Sequence, residues 1–393
     1  MGTPNIARRG VGLFLIACVF VIAGCASNDL LRTNTAEICT FQQAGDCADA
    51  AVQHHAAEQA DEYYLAFVEF DDQGQLRDRR QFQAVLDDYY PIAGNNDVLL
   101  VAFVHGWHHS AKPGDNNIRQ LRKLLERLSR TESLNSAKLG RQPRKVLGVY
   151  VGWRGDSLTI PYLNDLTFWE RKNTAHDVGG QGTAEVFLKL EEIVNVKAGM
   201  DAPDGPASRL VLIGHSFGGA VTFTALQQIL VDRYYNSRRG TTFQGSAQGF
   251  GDLVVLVNPA IEALRYATLY DIGQQDCRNY TPGQVPRLAV LTSESDLATK
   301  WAFPAGRFFS TLFETHSDLE RIDCVLDAAT GRYTKRTLKI KEGEADRNTI
   351  GHFMPFVTHR LEAANDGAKA AEEIDYTSLH DYWLTQKPAA TLV

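Results

Sequence analysis

The chain predicts an α/β fold, a mostly parallel sheet with helices on both faces. Three observations carry this. First, the short runs Val98–Val104, Val146–Val151, Leu210–Ile213, Leu253–Val257 and Leu288–Thr292 are apolar without polar alternation, as strands buried on both faces are. Second, helical patterns lie between them. Asn116–Ser129 puts Ile118, Leu121, Leu125 and Leu128 on one stripe and Arg119, Arg122, Lys123 and Glu126 elsewhere. Third, 393 residues without an internal repeat suit one large α/β domain with insertions after the later strands.

Taken in order, the chain opens with a targeting segment. Arg8 and Arg9 precede the apolar stretch Val11–Gly24, which is short for a bilayer span. That stretch closes on Ile22-Ala23-Gly24-Cys25, which resembles the lipobox of bacterial lipoproteins. The resemblance implies cleavage before Cys25, acyl chains on that residue, and a lipid anchor in the cell envelope. Ala26 in the next position resembles the pattern of outer-membrane sorting, with the domain facing the periplasm. Two or three acyl chains hold firmly where one does not.

Residues 25–60 are polar and Ala-rich without a sustained period, and read as a lipidated cysteine and flexible tether ahead of a domain over 61–393. Cys39, Cys47, Cys277 and Cys324 make an even set for an oxidising compartment. Three pairings are possible. We favour Cys39–Cys47, close in sequence, and Cys277–Cys324, flanking one strand. No C-x-x-C is present, which argues against a zinc ribbon or a thioredoxin-like site. The formal net charge of −7 and the lack of a long basic run argue against nucleic-acid binding. Oligomeric state is not legible.

Within the domain, Tyr63–Phe70 reads as a strand ending at Asp71-Asp72-Gln73-Gly74. Asn164–Lys172 is aromatic and charged, fit for a rim or cap. Thr183–Val194 is a helix, followed by a Pro/Gly-rich loop over Ala198–Ser208. Thr337–Lys341 alternates as a last strand or half a hairpin, and Phe356–Ala364 reads as helical.

Ligands of parallel sheets bind at the carboxyl ends of the strands. Leu210–Ile213 ends at Gly214-His215-Ser216-Phe217-Gly218, and Gly219, Ala220 and the apolar stripe Val221–Val231 follow. This is G-x-S-x-G between a buried strand and a helix, the setting that holds a serine at a sharp turn with its hydroxyl exposed. The competing reading is a phosphate-cradling turn, but no G-x-x-x-x-G-K-[ST] occurs here. Val98–Val104 ends at His105-Gly106-Trp107-His108-His109, and Val146–Val151 at Gly152-Trp153-Arg154-Gly155.

The HG turn and the G-x-S-x-G elbow, in that order, resemble the α/β-hydrolase superfamily over roughly residues 95–360. The resemblance implies an α/β-hydrolase-type sheet and serine esterase or lipase-like chemistry without metal or cofactor. Ser216 would be the nucleophile, and the backbone N–H groups of Trp107 and Phe217 the oxyanion hole. The acid follows the elbow and the histidine comes last. Asp296, in Ser293-Glu294-Ser295-Asp296, is favoured as the acid ahead of Glu294. His352, after Gly351, is favoured as the base, with His380 beside Asp381 as its rival and His316 and His359 behind.

His105, Trp153, Arg154 and His215 are candidate substrate contacts. For Trp153 and Arg154 the alternative is a packed indole and a structural ion pair. A metal site at His105, His108 and His109 is disfavoured, since they lack helical i, i+4 spacing and an evident carboxylate neighbour. Trp301, Phe303, Phe308, Phe309 and Phe313 could wall an acyl pocket, touch a membrane or pack an extra helix. The function expected is a membrane-tethered serine hydrolase acting on a small-molecule or lipid ester. Lipase, phospholipase, thioesterase and peptidase all fit the motif. A non-catalytic envelope binding protein on the same scaffold is the alternative.

Overall fold

A computed structural model describes residues 29–359 apart from 43–46, 58–59, 156–163, 200–207, 240–241, 244–245, 275–276, 278–283, 312–313, 328–329 and 331. Cys25 and His380 lie outside the described residues.

Eight strands form one sheet: β1 (Cys39–Phe41), β2 (Val52–His55), β3 (Tyr63–Glu69), β4 (Val98–Val104), β5 (Lys145–Gly152), β6 (Arg209–His215), β7 (Leu253–Val257) and β8 (Leu288–Leu291). Their spatial order is β1-β2-β3-β5-β4-β6-β7-β8. The six strands from β3 to β8 are mutually parallel, and only the β2–β3 pairing is antiparallel.

The helices are α1 (Arg79–Asn95), α2 (Asn116–Leu139), α3 (Asn164–Gly180), α4 (Gly182–Asn195), α5 (Phe217–Asn236) and α6 (Ala263–Gln274). Asp78 and Asp115 cap α1 and α2 by accepting from Arg80 N and Asn117 N, and Gly140 (φ 62°) closes α2 in the left-handed region.

Alternation along the strands divides the core in two. Leu100, Ala102, Leu147, Val149, Leu210 and Leu212 face the layer that holds α1, α4, α5 and α6. Val101, Tyr150 and Leu65 face α2 through Ile118, Leu121 and Leu125. Helices thus cover both faces, as expected, but unequally among the described residues.

The segment read as a tether departs from expectation. It contributes β1 and β2 to the sheet edge, clipped by the Cys39–Cys47 disulfide. Upstream, Leu31 N and Arg32 N both donate to the buried Glu69 carboxylate, at 3.0 and 2.8 Å. Arg32 itself is 2% exposed, lies 3.9 Å over the Phe67 ring, and donates to Ala111 O at 2.9 Å. Burial, with Arg122 nearby, brings its guanidinium down to about 10. Strands of three and four residues are too short to show a period, and the contacts that order them lie far away in sequence.

After β8 come a π-helical turn (Ala298–Ala302), α7 (Phe303–Ser310), a hairpin of β9 (Asp318–Asp327) and β10 (Arg332–Lys341), and α8 (Glu342–Arg347). Cys277 pairs with Cys324 of β9, as favoured. Phe303 is fully buried against the core, whereas Trp301 and Phe308 are exposed. The helix expected from Phe356 onward is not formed over 356–359. Met354–Phe356 is a 3-10 turn, and 357–359 is coil. Pro355 sets that turn, and no helical residue follows it here. Among the described residues no helix is long and apolar enough to cross a membrane.

Candidate active site

The register brings the strand ends together. Val104 pairs with Val151 and Gly214, His215 with Val257, and Val257 with Leu291. The loops after β4, β5, β6, β7 and β8 therefore leave one end of the sheet side by side.

Ser216 stands between β6 and α5 with φ 55° and ψ −120°. A non-glycine residue here carries strain of about 1–3 kcal/mol, which the surroundings must impose. They do so through the backbone. Ser216 N donates to Val257 O at 2.9 Å, and Ser216 O accepts from Gly219 N at 3.0 Å and Ala260 N at 3.1 Å. Serine at a helix N-cap ordinarily caps with its hydroxyl. Ser216 occupies that position and makes no such bond.

Two glycines allow the close approach. A Cβ on Gly218 would sit 2.1 Å from Val104 O and 2.5 Å from His105 O. One on Gly106 would meet Ser216 Cβ at 2.8 Å. The turn after β4 thus passes directly beside the serine. Phe217 is the first residue of α5, and its ring lies 6.4 Å from that of Trp107, so both residues flank Ser216. His108 takes φ 63°, and its N–H bonds Gly155 O at 3.0 Å.

On the other side lie Asp296 and His352. Thr299 Oγ1 donates to Asp296 Oδ2 at 2.7 Å and lies 3.1 Å from His352 Nε2. With its own proton given to the carboxylate, the hydroxyl accepts from Nε2–H, which leaves Nδ1 as the basic nitrogen. Asp296 is therefore linked to His352 through a threonine, not directly. Burial lowers the His352 imidazole below its ordinary value, with Asp296 opposing and Lys300 adding to the fall. Among the described residues none hydrogen-bonds Ser216 Oγ. Ser216 follows β6 and Asp296 follows β8, the two strands on either side of β7, two strand spacings or roughly 10 Å apart along the sheet.

Asn258 couples the two sides. Its N–H reaches Leu291 O at 2.8 Å, and its Oδ1 accepts from Ser293 N at 2.8 Å. It takes φ 44°, a conformation asparagine tolerates better than most residues. The His352 loop is fixed by Ala263 N to Asn348 O at 2.9 Å and Ile350 N to Ile261 O at 3.1 Å. Between them sits Glu262, 2% exposed, which pairs with Lys172 and, at 2.9 Å, with Arg265. Burial works against its charge, but Lys172 and Arg265 hold it down at about 2. Lys172 belongs to α3, so this buried pair fastens α3 to the segment after β7 that in turn bonds the His352 loop.

Several expected contacts are otherwise employed. His105 is fully buried, accepts from Trp153 N at 3.0 Å, and stacks on Trp153. Trp153 is 2% exposed and donates its indole N–H to His105 O at 2.9 Å. Both side chains are buried against each other and brace the turn beside Gly106. Burial drives His105 down to about 4, so it is neutral. Arg154 is ion-paired with Asp72. His215 is half-buried. Burial, then His109, lowers its imidazole, and Asp296 opposes.

His109 does have a carboxylate neighbour, contrary to expectation. Its Nδ1 lies 3.1 Å from Asp115, and Asn117 Nδ2 is 2.9 Å from Nε2. Burial opposes the Asp115 charge, but His109 and the Asn117 N–H hold that carboxyl below its ordinary range. The helix-capping role of Asp115 was the signal that could have found this pair. One His/carboxylate trio, Glu314, His316 and Asp346, occurs among the described residues, but Arg307 bonds both Asp346 oxygens at 2.5 and 2.6 Å.

Comparisons with protein-family models, with curated proteins and with solved structures find no match.

Proposed function

We propose that the chain is a serine hydrolase of the α/β-hydrolase type, cleaving an ester-type acyl bond. The backbone of Ser216 carries this reading. A serine is forced into a strained conformation at the carboxyl end of a parallel sheet, and its hydroxyl takes no part in capping the helix behind it. Strain of this kind clusters at sites where it serves a mechanism.

In the proposed reaction Ser216 Oγ attacks the acyl carbon as His352 takes its proton at Nδ1. Thr299 and, through it, Asp296 hold the Nε2–H tautomer and stabilise the imidazolium. The N–H groups of Trp107 and Phe217 face the developing oxyanion, each contributing about 3 kcal/mol at the transition state. His352 returns the proton to the leaving oxygen, and water then releases the acyl group from Ser216 by the same steps in reverse. This step requires His352 Nδ1 to come within hydrogen-bond reach of Ser216 Oγ in the substrate complex. We propose further that the Cys25 anchor holds the enzyme at an envelope membrane.

The alternative, a binding protein on this scaffold, draws support from one observation, the missing hydrogen bond to Ser216 Oγ. Turnover of short acyl esters by the purified chain and by Ser216→Ala separates the two. Hydrolysis that disappears in the variant supports the enzyme. A wild type without turnover supports the binding protein.

A further inference from the structure

The end of the sheet that carries Ser216 also carries an exposed apolar strip and the point where the N-terminal segment joins the domain. Leu297 is 68% exposed and Trp301 66%, on either side of Thr299. Met354 is 73% exposed and Val357 38%, two and five residues beyond His352. The Thr299–His352 hydrogen bond brings these two segments together, so the four side chains border one surface at the rim of the site. Exposed apolar side chains gathered on neighbouring segments suit a site of interaction.

The length of chain outside the described domain, and where it enters, says what covers the strip. Leu31 and Arg32 are clamped to Glu69, the last residue of β3, and Arg32 also bonds Ala111 in the segment after β4. Because β3 runs parallel to β5, β4, β6, β7 and β8, Glu69 lies at the same end of the sheet as Ser216. The apolar Val11–Gly24 stretch and Cys25 precede Leu31 by only a few residues. From Cys25 to Leu31 the chain spans roughly 20 Å even when fully extended. If Cys25 carries the lipid anchor proposed above, that anchor is held close to this end of the sheet.

We propose that the carboxyl end of the sheet docks on a lipid bilayer through Leu297, Trp301, Met354 and Val357, and that the ester Ser216 attacks is a membrane lipid. The lipid-substrate part rests on the serine-hydrolase reading above, and the docking part on the exposed side chains together with the proposed Cys25 anchor. An exposed tryptophan suits the headgroup boundary, and Lys300 beside it suits an anionic surface. The tether fixes orientation as well as proximity. Docked in this way, the end of the sheet that carries Ser216 faces the bilayer, and a lipid reaches it without crossing bulk water.

The test uses the full-length chain in phosphatidylethanolamine–phosphatidylglycerol vesicles whose acyl chains are brominated. The variant carries Leu297→Asp, Trp301→Phe and Met354→Asp. Docking predicts that bromolipid quenches wild-type tryptophan fluorescence and that this quenching is largely lost in the variant. The variant is also expected to cleave a vesicle-embedded ester about ten-fold more slowly, with turnover of a soluble short-chain ester within about two-fold of wild type. Trp301→Phe alone assigns the quenched fraction, and an unchanged melting temperature confirms that the variant is folded.

Absence of quenching in wild type overturns the docking proposal. Trp301 shielded from aqueous quencher yet untouched by bromolipid overturns it in favour of a protein partner. Equal cleavage of the vesicle ester by both proteins overturns the lipid-substrate proposal. Quenching without turnover of either ester refutes the hydrolase reading and leaves the docked surface standing.

Discussion

Thr299→Val is the most informative single substitution, because it leaves Ser216, His352 and Asp296 in place and removes what joins the last two. Thr299 is 2% exposed, and valine matches its shape. The hydroxyl makes two bonds, 2.7 Å to Asp296 Oδ2 and 3.1 Å to His352 Nε2. Hydrogen bonds to charged groups are worth about 1.5–3 kcal/mol, which corresponds to roughly 10- to 150-fold in rate when the charge forms in the transition state. The imidazolium forms there, so the loss should fall on kcat, with KM little changed. Thr299→Ser retains the hydroxyl and should stay within about three-fold of wild type. Steady-state kinetics on a soluble ester measures the rates, and imidazole 15N shifts report the His352 tautomer without reference to activity. The tautomer should change from Nε2–H to a mixture in the valine variant only. Wild-type kinetics and an unchanged tautomer in Thr299→Val would refute the linkage.

Three further outcomes follow from the same geometry. Burial lowers the His352 imidazole, and Lys300 adds to the fall, so the acid limb of kcat/KM should lie below pH 6.5 and move upward in Lys300→Gln; a limb that stays or moves down in the variant contradicts this. Gly218→Ala would place a methyl 2.1 Å from Val104 O, against backbone that cannot swing aside, and should cost about 3 kcal/mol or more by urea unfolding; a loss below about 1 kcal/mol would show that the turn can relax. His105 is held neutral at about 4, whereas an unfolded histidine titrates near its ordinary 6.5. Above pH 6.5 neither state is charged; from there down to pH 4 only the unfolded chain binds the proton, so stability should fall by up to about 3 kcal/mol over that window. The decline should flatten in His105→Gln, and equal slopes in the two proteins contradict the assignment.

What the sequence revealed depended on how locally each feature is determined. Val98–Val104 and Leu253–Val257 coincide with β4 and β7 because a run buried on both faces and bounded by polar or breaking residues leaves little freedom in its ends. The turn at Ser216 was legible for the same reason: glycine on both sides, between strand and helix, has few other uses. Helix α2 runs ten residues past the expected Ser129, because its last turns are polar and show no apolar stripe. The hairpin of β9 and β10 is mostly exposed, so only its Thr337–Lys341 portion showed alternation.

Contacts between distant residues were the least legible. The commitment of Glu262 to Lys172, 90 residues away, has no local signature. The same holds for Thr299, an ordinary residue in a polar stretch until the fold sets it between Asp296 and His352. His105 and Trp153 stand at strand ends, where candidate ligand contacts were placed; for Trp153 a packed indole was the alternative, and position along the chain does not reveal that each is buried against the other.

The account turns on Ser216 as an activated nucleophile. Treating the folded chain with a fluorophosphonate and mapping the adduct by peptide mass spectrometry tests this directly. The account predicts one stoichiometric adduct on Ser216, absent from Ser216→Ala and formed more slowly in His352→Ala and Thr299→Val. No adduct, or an adduct at a different residue that survives Ser216→Ala, would contradict it.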